Sequence, residues 1–231
     1  MSEIRLINHS RAGDGLYLLR FEAPEQLMDQ YSVPGQYAII RTNPAQERPA
    51  FFAVASGPAD NYLEFLIKQA PGAAADLAEL SEGQTVECES IQGPGFKIDC
   101  QKGGPDVHMF SMGSGYAPFR ALIRFILASK QEHCNLHLWQ AAFRLSAVPL
   151  LDELAQYEKD GTIKLHLCLD DQTEPTEHPF FAGQVQEALR QYEDNLKESV
   201  LLWIGSHEFN VSLKEALASI GVDPDALRTN Y

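Results

Sequence analysis

Met112-Gly113-Ser114-Gly115-Tyr116-Ala117-Pro118-Phe119-Arg120 joins two segments of different rhythm. Before it, Val107-His108-Met109-Phe110-Ser111 is apolar-rich and of strand length; after it, Ala121 to Ala128 carries apolar residues on a helical period. A glycine turn between a strand and a helix lets backbone N–H groups approach an anion, and the helix N-terminus adds a favourable dipole. Pro118 suits a first-turn position, where its missing N–H costs nothing. The stretch reads as a dinucleotide pyrophosphate site opening a strand–helix unit.

Downstream of this turn the chain alternates strand and helix. Strands are predicted at Val107–Met112, Asn135–Ala141, Ile163–Leu169 and Val200–Ile204, with helices at Pro118–Ser129, Val148–Glu158, Gly183–Tyr192 and Val211–Ile220. Such alternation argues a Rossmann-like α/β domain built on a parallel sheet. Upstream the rhythm is short and alternating: Glu3–His9, Gly15–Phe21, Gln36–Arg41, Phe51–Ala55, Tyr62–Lys68 and Thr85–Ser90 each read as a strand. Six strands at this spacing predict an antiparallel six-stranded β-barrel, interrupted by one helix near Ala73–Leu80. Lys102-Gly103-Gly104-Pro105 is the natural boundary, giving a barrel domain over 1–101 and an α/β domain over 102–231.

The run Gly113-Ser114-Gly115-Tyr116-Ala117-Pro118-Phe119-Arg120 resembles the nicotinamide-nucleotide turn of the ferredoxin–NADP reductase family, G-T-G-I-A-P-F-R. Pro34-Gly35-Gln36-Tyr37 is similar to that family's P-G-Q-Y/F turn, and Gly93-Pro94-Gly95-Phe96 to its shortened G-P-x-G-x-F closing turn. The order barrel, then Rossmann-like domain, is also the family's, so the resemblance spans nearly the whole chain. It implies FAD on the barrel and NADH or NADPH on the second domain.

The resemblance carries further residues over one by one. In Arg48-Pro49-Ala50-Phe51-Phe52-Ala53-Val54-Ala55-Ser56, Phe52 falls where the family stacks a Tyr on the flavin, with Val54 next in the segment. Ala53 replaces the hydroxyl near flavin N5, and Ala50 the arginine on the FAD pyrophosphate, leaving Arg48 to reach it. Lys68 and the loop Gly72-Ala73-Ala74-Ala75 match the second flavin-phosphate segment, with Ala74 and Ala75 as backbone donors. Gly113, Ser114, Gly115, Pro118 and Arg120 would serve the nucleotide pyrophosphate, and Phe143 or Arg144 the adenine side. Asp170, followed by Asp171, would repel a 2′-phosphate and accept from a ribose hydroxyl, so NADH is favoured over NADPH. Gly205, Ser206 and Phe209 match the family's C-G-P-x-x-M, with Ile204 in place of the cysteine. Tyr231, at the end, is placed where plant-type relatives carry an aromatic lid over the flavin.

Composition narrows the classes. With 18 basic against 32 acidic residues the net charge is −14, which disfavours nucleic acid, since phosphate contact needs clustered Lys and Arg. No apolar run is long enough for a membrane span, and no secretory pattern opens the chain, so a cytoplasmic protein is expected. The four cysteines, Cys88, Cys100, Cys134 and Cys168, are far apart and are expected as reduced, buried thiols. His133, His137 and His166 do not show a ligand spacing, so no metal is expected, and no G-x-S-x-G nucleophile elbow occurs.

Together these readings predict a flavin-dependent oxidoreductase that passes hydride from NADH to FAD and on to a separate protein or small-molecule acceptor. Two alternatives remain open: a reductase that treats flavin as a diffusing substrate, and a catalytically slow flavin- or nucleotide-binding module, suggested by Ala53 and Ile204 at the reacting centre.

Overall fold

A computed structural model describes residues 1–43, 48–129, 133–171, 176–192 and 196–230 of the protein. It divides into two compact units. The first holds Met1–Ile98, a later helix and Asn230; the second starts at Asp99, runs to Gly115 and resumes beyond that helix as far as Thr229.

In the first unit β1 (Ser2–Gly13), β2 (Leu16–Glu22), β3 (Tyr37–Arg41), β4 (Ala50–Ala53), β5 (Leu63–Lys68) and β6 (Thr85–Gln92) form an antiparallel sheet in the order β4-β3-β6-β1-β2-β5. Each strand falls on a predicted one. Period-two alternation decides the facing: Ile4 and Leu6 of β1 are buried while Glu3 and Arg5 face out. The sheet closes on itself just past β4, where Val54 bridges Phe65 of β5 and the Ala55 N–H donates to the Glu64 carbonyl at 2.7 Å. Closure removes the open edges and leaves an apolar interior of Ile4, Leu19, Phe21, Ile40, Leu63 and Phe65. Two short helices flank the strands, α1 (Glu25–Met28), unpredicted because one turn carries no periodicity, and α2 (Ala73–Ala78).

Helix α3 (Tyr116–Ala128) belongs with this unit although it follows the glycine turn in sequence. It begins two residues before the predicted start, and Pro118 occupies its third position, still among the N–H groups that have no partner within the helix.

The second unit contains a six-stranded sheet in which every neighbour is parallel, ordered β10-β9-β8-β7-β11-β12. Its strands are β7 (Val107–Met112), β8 (Leu136–Ala142), β9 (Lys164–Leu169), β10 (Phe181–Ala182), β11 (Val200–Ile204) and β12 (Leu227–Arg228). Four were predicted; β10 and β12 are two-residue edge strands, too short to leave an alternation in the sequence. Helices α4 (Leu151–Lys159), α5 (Val185–Arg190) and α6 (His207–Ser219) follow β8, β10 and β11, and α5 and α6 seal an apolar core with Phe110, Trp139, Cys168 and Trp203.

One expectation is corrected here. Cys100 and Cys134 are joined by a disulfide, with their Cα atoms 5.2 Å apart, while Cys88 and Cys168 are free and buried. The two residues lie 34 apart in sequence, so no local spacing marks them. They meet because each stands in the lead-in to one of the adjacent parallel strands β7 and β8. No helix among the described residues is long and apolar enough to cross a membrane.

Candidate functional site

In the second unit the strand order reverses at β7: the chain builds outward through β8, β9 and β10, then returns to place β11 and β12 on the other side. Connections leaving the C-terminal ends of β7 and β11 therefore diverge, and a parallel sheet opens a crevice at such a point. The glycine turn lies there as a single 3₁₀ turn, Gly113–Gly115. Gly113 has φ +51°, a left-handed conformation that glycine adopts without strain, and nothing stands within 4 Å of where a Cβ would be. Gly115 is required for the opposite reason, since a Cβ there would lie 2.9 Å from the Ile204 carbonyl oxygen at the end of β11. The turn is thus open on one side and pressed against β11 on the other. Beneath it, the buried Ser111 hydroxyl donates to Gln140 Oε1 at 2.6 Å, tying β7 to β8.

The predicted residues around the crevice separate into open and committed ones. Gly205 lies against the Phe209 ring, which a Cβ would meet at 2.5 Å, and Phe209 is buried in the unit's core. Ser206 caps α6, its Oγ accepting from the Phe209 N–H at 3.2 Å. Glu208 follows, its carboxyl held below the usual range by its own backbone N–H and the Ser206 hydroxyl, so the start of α6 already carries an anion. Across the crevice the Asp171 N–H donates to the Phe143 carbonyl at 2.7 Å and the Asp170 N–H to the Ala142 carbonyl at 3.3 Å. The ends of β8 and β9 therefore leave the sheet side by side, bringing exposed Phe143, Arg144 and Asp170 to one edge.

In the first unit β4 presents its residues alternately. Phe52 is half-buried and turns to the barrel core, its ring 6.5 Å from Phe65, while Phe51 is 63% exposed and lies edge-on to Tyr37 at 5.6 Å. Ala53 is half-buried and Val54 fully buried in the closing bridge. Lys68 and Arg48 are exposed. Gly72 precedes α2 with φ +90° and open space where a Cβ would be, but the N–H groups of Ala75 and Asp76 both donate to its carbonyl. The Asp76 carboxylate accepts from the Thr42 hydroxyl at 2.6 Å. Tyr231 lies outside the described residues.

Arg120 is committed to the barrel. Its guanidinium donates to Glu64 Oε2 at 2.6 Å and to the Ala55 carbonyl at 3.0 Å, bracing the backbone that follows Ala53 and Val54. Arg124, one turn later, grips Asp60 with two hydrogen bonds of 2.9 Å and donates to the Tyr62 hydroxyl oxygen at 2.9 Å. The sequence reading missed this set. Its signal was Glu64, a single carboxylate inside Leu63-Glu64-Phe65-Leu66-Ile67, where an unpaired charge would be costly.

No family model matches the chain. Among curated proteins it is 25% identical over 228 residues to NADH-cytochrome b5 reductase 1 of Lodderomyces elongisporus, covering 94% of this chain and 74% of that protein. Among solved structures it aligns with a ferredoxin NADP+ reductase from Neisseria gonorrhoeae with bound FAD and NADP, at a TM-score of 0.77 and 15% identity over 98% of this chain and 96% of that one. It also aligns with the flavohemoglobin of Malassezia yamatoensis with bound FAD and heme, at a TM-score of 0.79 and 15% identity; 98% of this chain is covered, and it spans 58% of that longer protein. The chain therefore has the two-domain fold of ferredoxin–NADP reductase-like proteins, an antiparallel barrel joined to a parallel α/β sheet.

Proposed function

We propose that this chain is an NADH-preferring, flavin-dependent oxidoreductase that delivers reducing equivalents to a separate acceptor. The observation that carries the reading is the open glycine turn at the C-terminal end of β7, at the point where a parallel sheet reverses its order, in a chain whose first unit is a closed antiparallel barrel. The similarity to an NADH-cytochrome b5 reductase, and to structures solved with FAD and NADP, supports the same reaction class.

The barrel residues fit a flavin. Phe51 offers an exposed ring and Phe52 a half-buried one, and Gly72 leaves open space before α2 for a phosphate to approach backbone N–H groups. Lys68 and Arg48 are exposed and would supply positive charge to a flavin phosphate. FAD, when bound, supplies the two-electron acceptor for hydride. The protein's own part is to hold and orient: Arg120 fixes the Ala55 carbonyl, and the β4–β5 bridge fixes Val54. In the second unit Gly113 and Ser114 would receive the pyrophosphate, Phe143 and Arg144 the adenine side, and Asp170 a ribose hydroxyl. A carboxylate at Asp170 repels a 2′-phosphate, which favours NADH.

The test is the absorption spectrum of the purified protein, taken anaerobically before and after NADH. A flavin band that bleaches with NADH faster than with NADPH supports the reading; a protein that binds flavin and never bleaches overturns it in favour of a binding module. One observation favours a second version in which flavin exchanges freely. Ala50 stands where an arginine would grip the pyrophosphate, and the Ala75 N–H is spent on Gly72. Flavin retained through extended dialysis would exclude that version.

A further inference from the structure

Strand β10 is two residues long, and its register against β9 covers Cys168 and Leu169. Among the described residues no strand lies beside the earlier part of β9, Leu165 to Leu167, on that side of the sheet. The residues leading into β10 and those closing α5 surround the space left over, a cavity of 370 Å³. Leu165, Phe180, Phe181, Ala188 and Tyr192 line it, together with Trp139 of β8. Pockets of about 300–1,000 Å³ with largely apolar, aromatic walls are those that take small molecules.

The aromatic part of the wall is held from the sheet side. Trp139 stands opposite His166 of β9, which also lines the cavity, and the two rings stack with centroids 4.0 Å apart. Tyr192 meets both edge-on, at 5.0 Å from Trp139 and 5.5 Å from His166. The Trp139 indole N–H donates to His108 Nδ1 at 3.1 Å, which fixes the orientation of the indole. Phe180, Phe181 and Tyr192 are each half-buried, so ring surface stays open beside this fixed group. Walls already shaped in this way need little ordering when a flat ring enters.

Charge separates this cavity from the rest of the protein. The chain carries 32 acidic and 18 basic residues, yet no Asp, Glu, Lys or Arg is among the described residues that line the cavity. Cys168, also in the wall, stays a neutral thiol, because burial pushes its pKa up to about 12. A charged ligand would leave water here without meeting an opposite charge, a penalty that an uncharged one escapes. The lining also includes none of Gly113, Ser114, Phe143, Arg144 and Asp170, the residues given to the nucleotide above.

We propose that this cavity is a second binding site, outside the nucleotide crevice, for a small, flat aromatic molecule without charge. Selection comes from shape and from the charge-free lining. The ring faces favour a flat skeleton over a puckered saturated one, and the want of a counter-charge excludes ions of either sign.

The test is isothermal titration of the full chain at neutral pH with four compounds of one size. These are 2-naphthalenemethanol, which is neutral, the anion 2-naphthoate, the cation 2-naphthylmethylammonium, and decahydro-2-naphthalenemethanol, which keeps the alcohol and loses the flat ring. The expected result is saturable binding of one 2-naphthalenemethanol, about tenfold or more tighter than either ion or the saturated alcohol. Ala188→Phe, which fills the cavity, should abolish that binding, and its thermal midpoint reports whether it folds. Leu165→Glu, at a half-buried wall position, should weaken the neutral compound and admit the cation. Should Ala188→Phe not fold, the four compounds and Leu165→Glu still decide. The proposal is overturned by absence of saturable binding, by a saturated alcohol or an ion that binds as tightly as the neutral naphthalene, by binding that survives in a folded Ala188→Phe protein, or by a preference unmoved in Leu165→Glu. An ammonium equal to the neutral compound would mean that the ring faces act as a cation cage instead. None of these readouts depends on NADH or on flavin reduction.

Discussion

Arg120 Nη1 of α3 lies 2.6 Å from Glu64 Oε2 of β5, with the two side chains only 4% and 1% exposed. Arg20 completes the carboxylate from the other side, its Nη2 2.9 Å from Oε1, and its guanidinium rests 4.1 Å over the Tyr62 ring. A carboxylate this deep is tolerable only because both oxygens are matched by guanidinium donors.

Removing one partner should therefore cost more than removing both. Arg120→Met leaves Glu64 half-compensated in the barrel wall and should lower stability by about 3–5 kcal/mol. Arg120→Met with Glu64→Leu should recover most of that loss, as measured by urea denaturation of the single and double variants. A double variant no more stable than the single one would show that the pair's role is something other than charge compensation.

The cysteines give a count. Burial pushes the Cys88 and Cys168 thiols up to about 11 and about 12, so neither should react with iodoacetamide in the native protein at neutral pH. Unfolded without reductant, the chain should release two thiols; unfolded with reductant, all four cysteines should label. Mass spectrometry of the alkylated protein reads this directly.

Acid should weaken the second unit through His108. Burial, and then the facing His137, His166 and Lys164, lower its pKa from 6.5 to about 2. The unfolded chain thus binds a proton below 6.5 that the folded chain refuses, and stability falls with falling pH by up to about 1.4 kcal/mol per unit from this group. The His108 ring resonances should show no titration between neutral pH and the onset of acid unfolding. A midpoint near that of a free imidazole would mean that the ring is solvated.

Gly115→Ala should be poorly tolerated, since its Cβ would press within 2.9 Å of the Ile204 carbonyl. The loss should be about 1–3 kcal/mol, with weakened nucleotide binding as the turn is forced off β11. Thermal melts with and without NADH separate the two effects.

On the proposed reading, Asp170→Arg should replace repulsion of a 2′-phosphate by attraction. The ratio of kcat/KM for NADPH over NADH should rise by roughly tenfold, without a change in flavin content. A ratio unmoved by the substitution would place Asp170 away from the ribose.

Much of the architecture was readable one segment at a time. The Val107–Met112 and Val200–Ile204 strands match their predicted bounds, because a buried parallel strand is a short apolar run that ends where its turn begins. The glycines of Gly113-Ser114-Gly115 marked a turn with space on one side, and the alternation of Ile4 and Leu6 with charged neighbours marked a barrel wall. These signals are local, so they survive in the order of residues.

What the sequence could not supply were meetings between distant positions. Cys100 and Cys134 pair because parallel register sets the approaches to β7 and β8 side by side, and Phe51 rather than Phe52 is exposed because the closing bridge fixes which face of β4 turns inward. Arg120 read as a ligand for phosphate until its helix was seen to carry it against Glu64. Residue order by itself determined the strands, the helices and the glycine turn, since each depends on backbone preference and apolar periodicity within a few residues. Only the tertiary structure decided which side chains are spent on one another and which remain for a ligand, because hydrogen bonds and ion pairs form wherever chain closure brings the groups together.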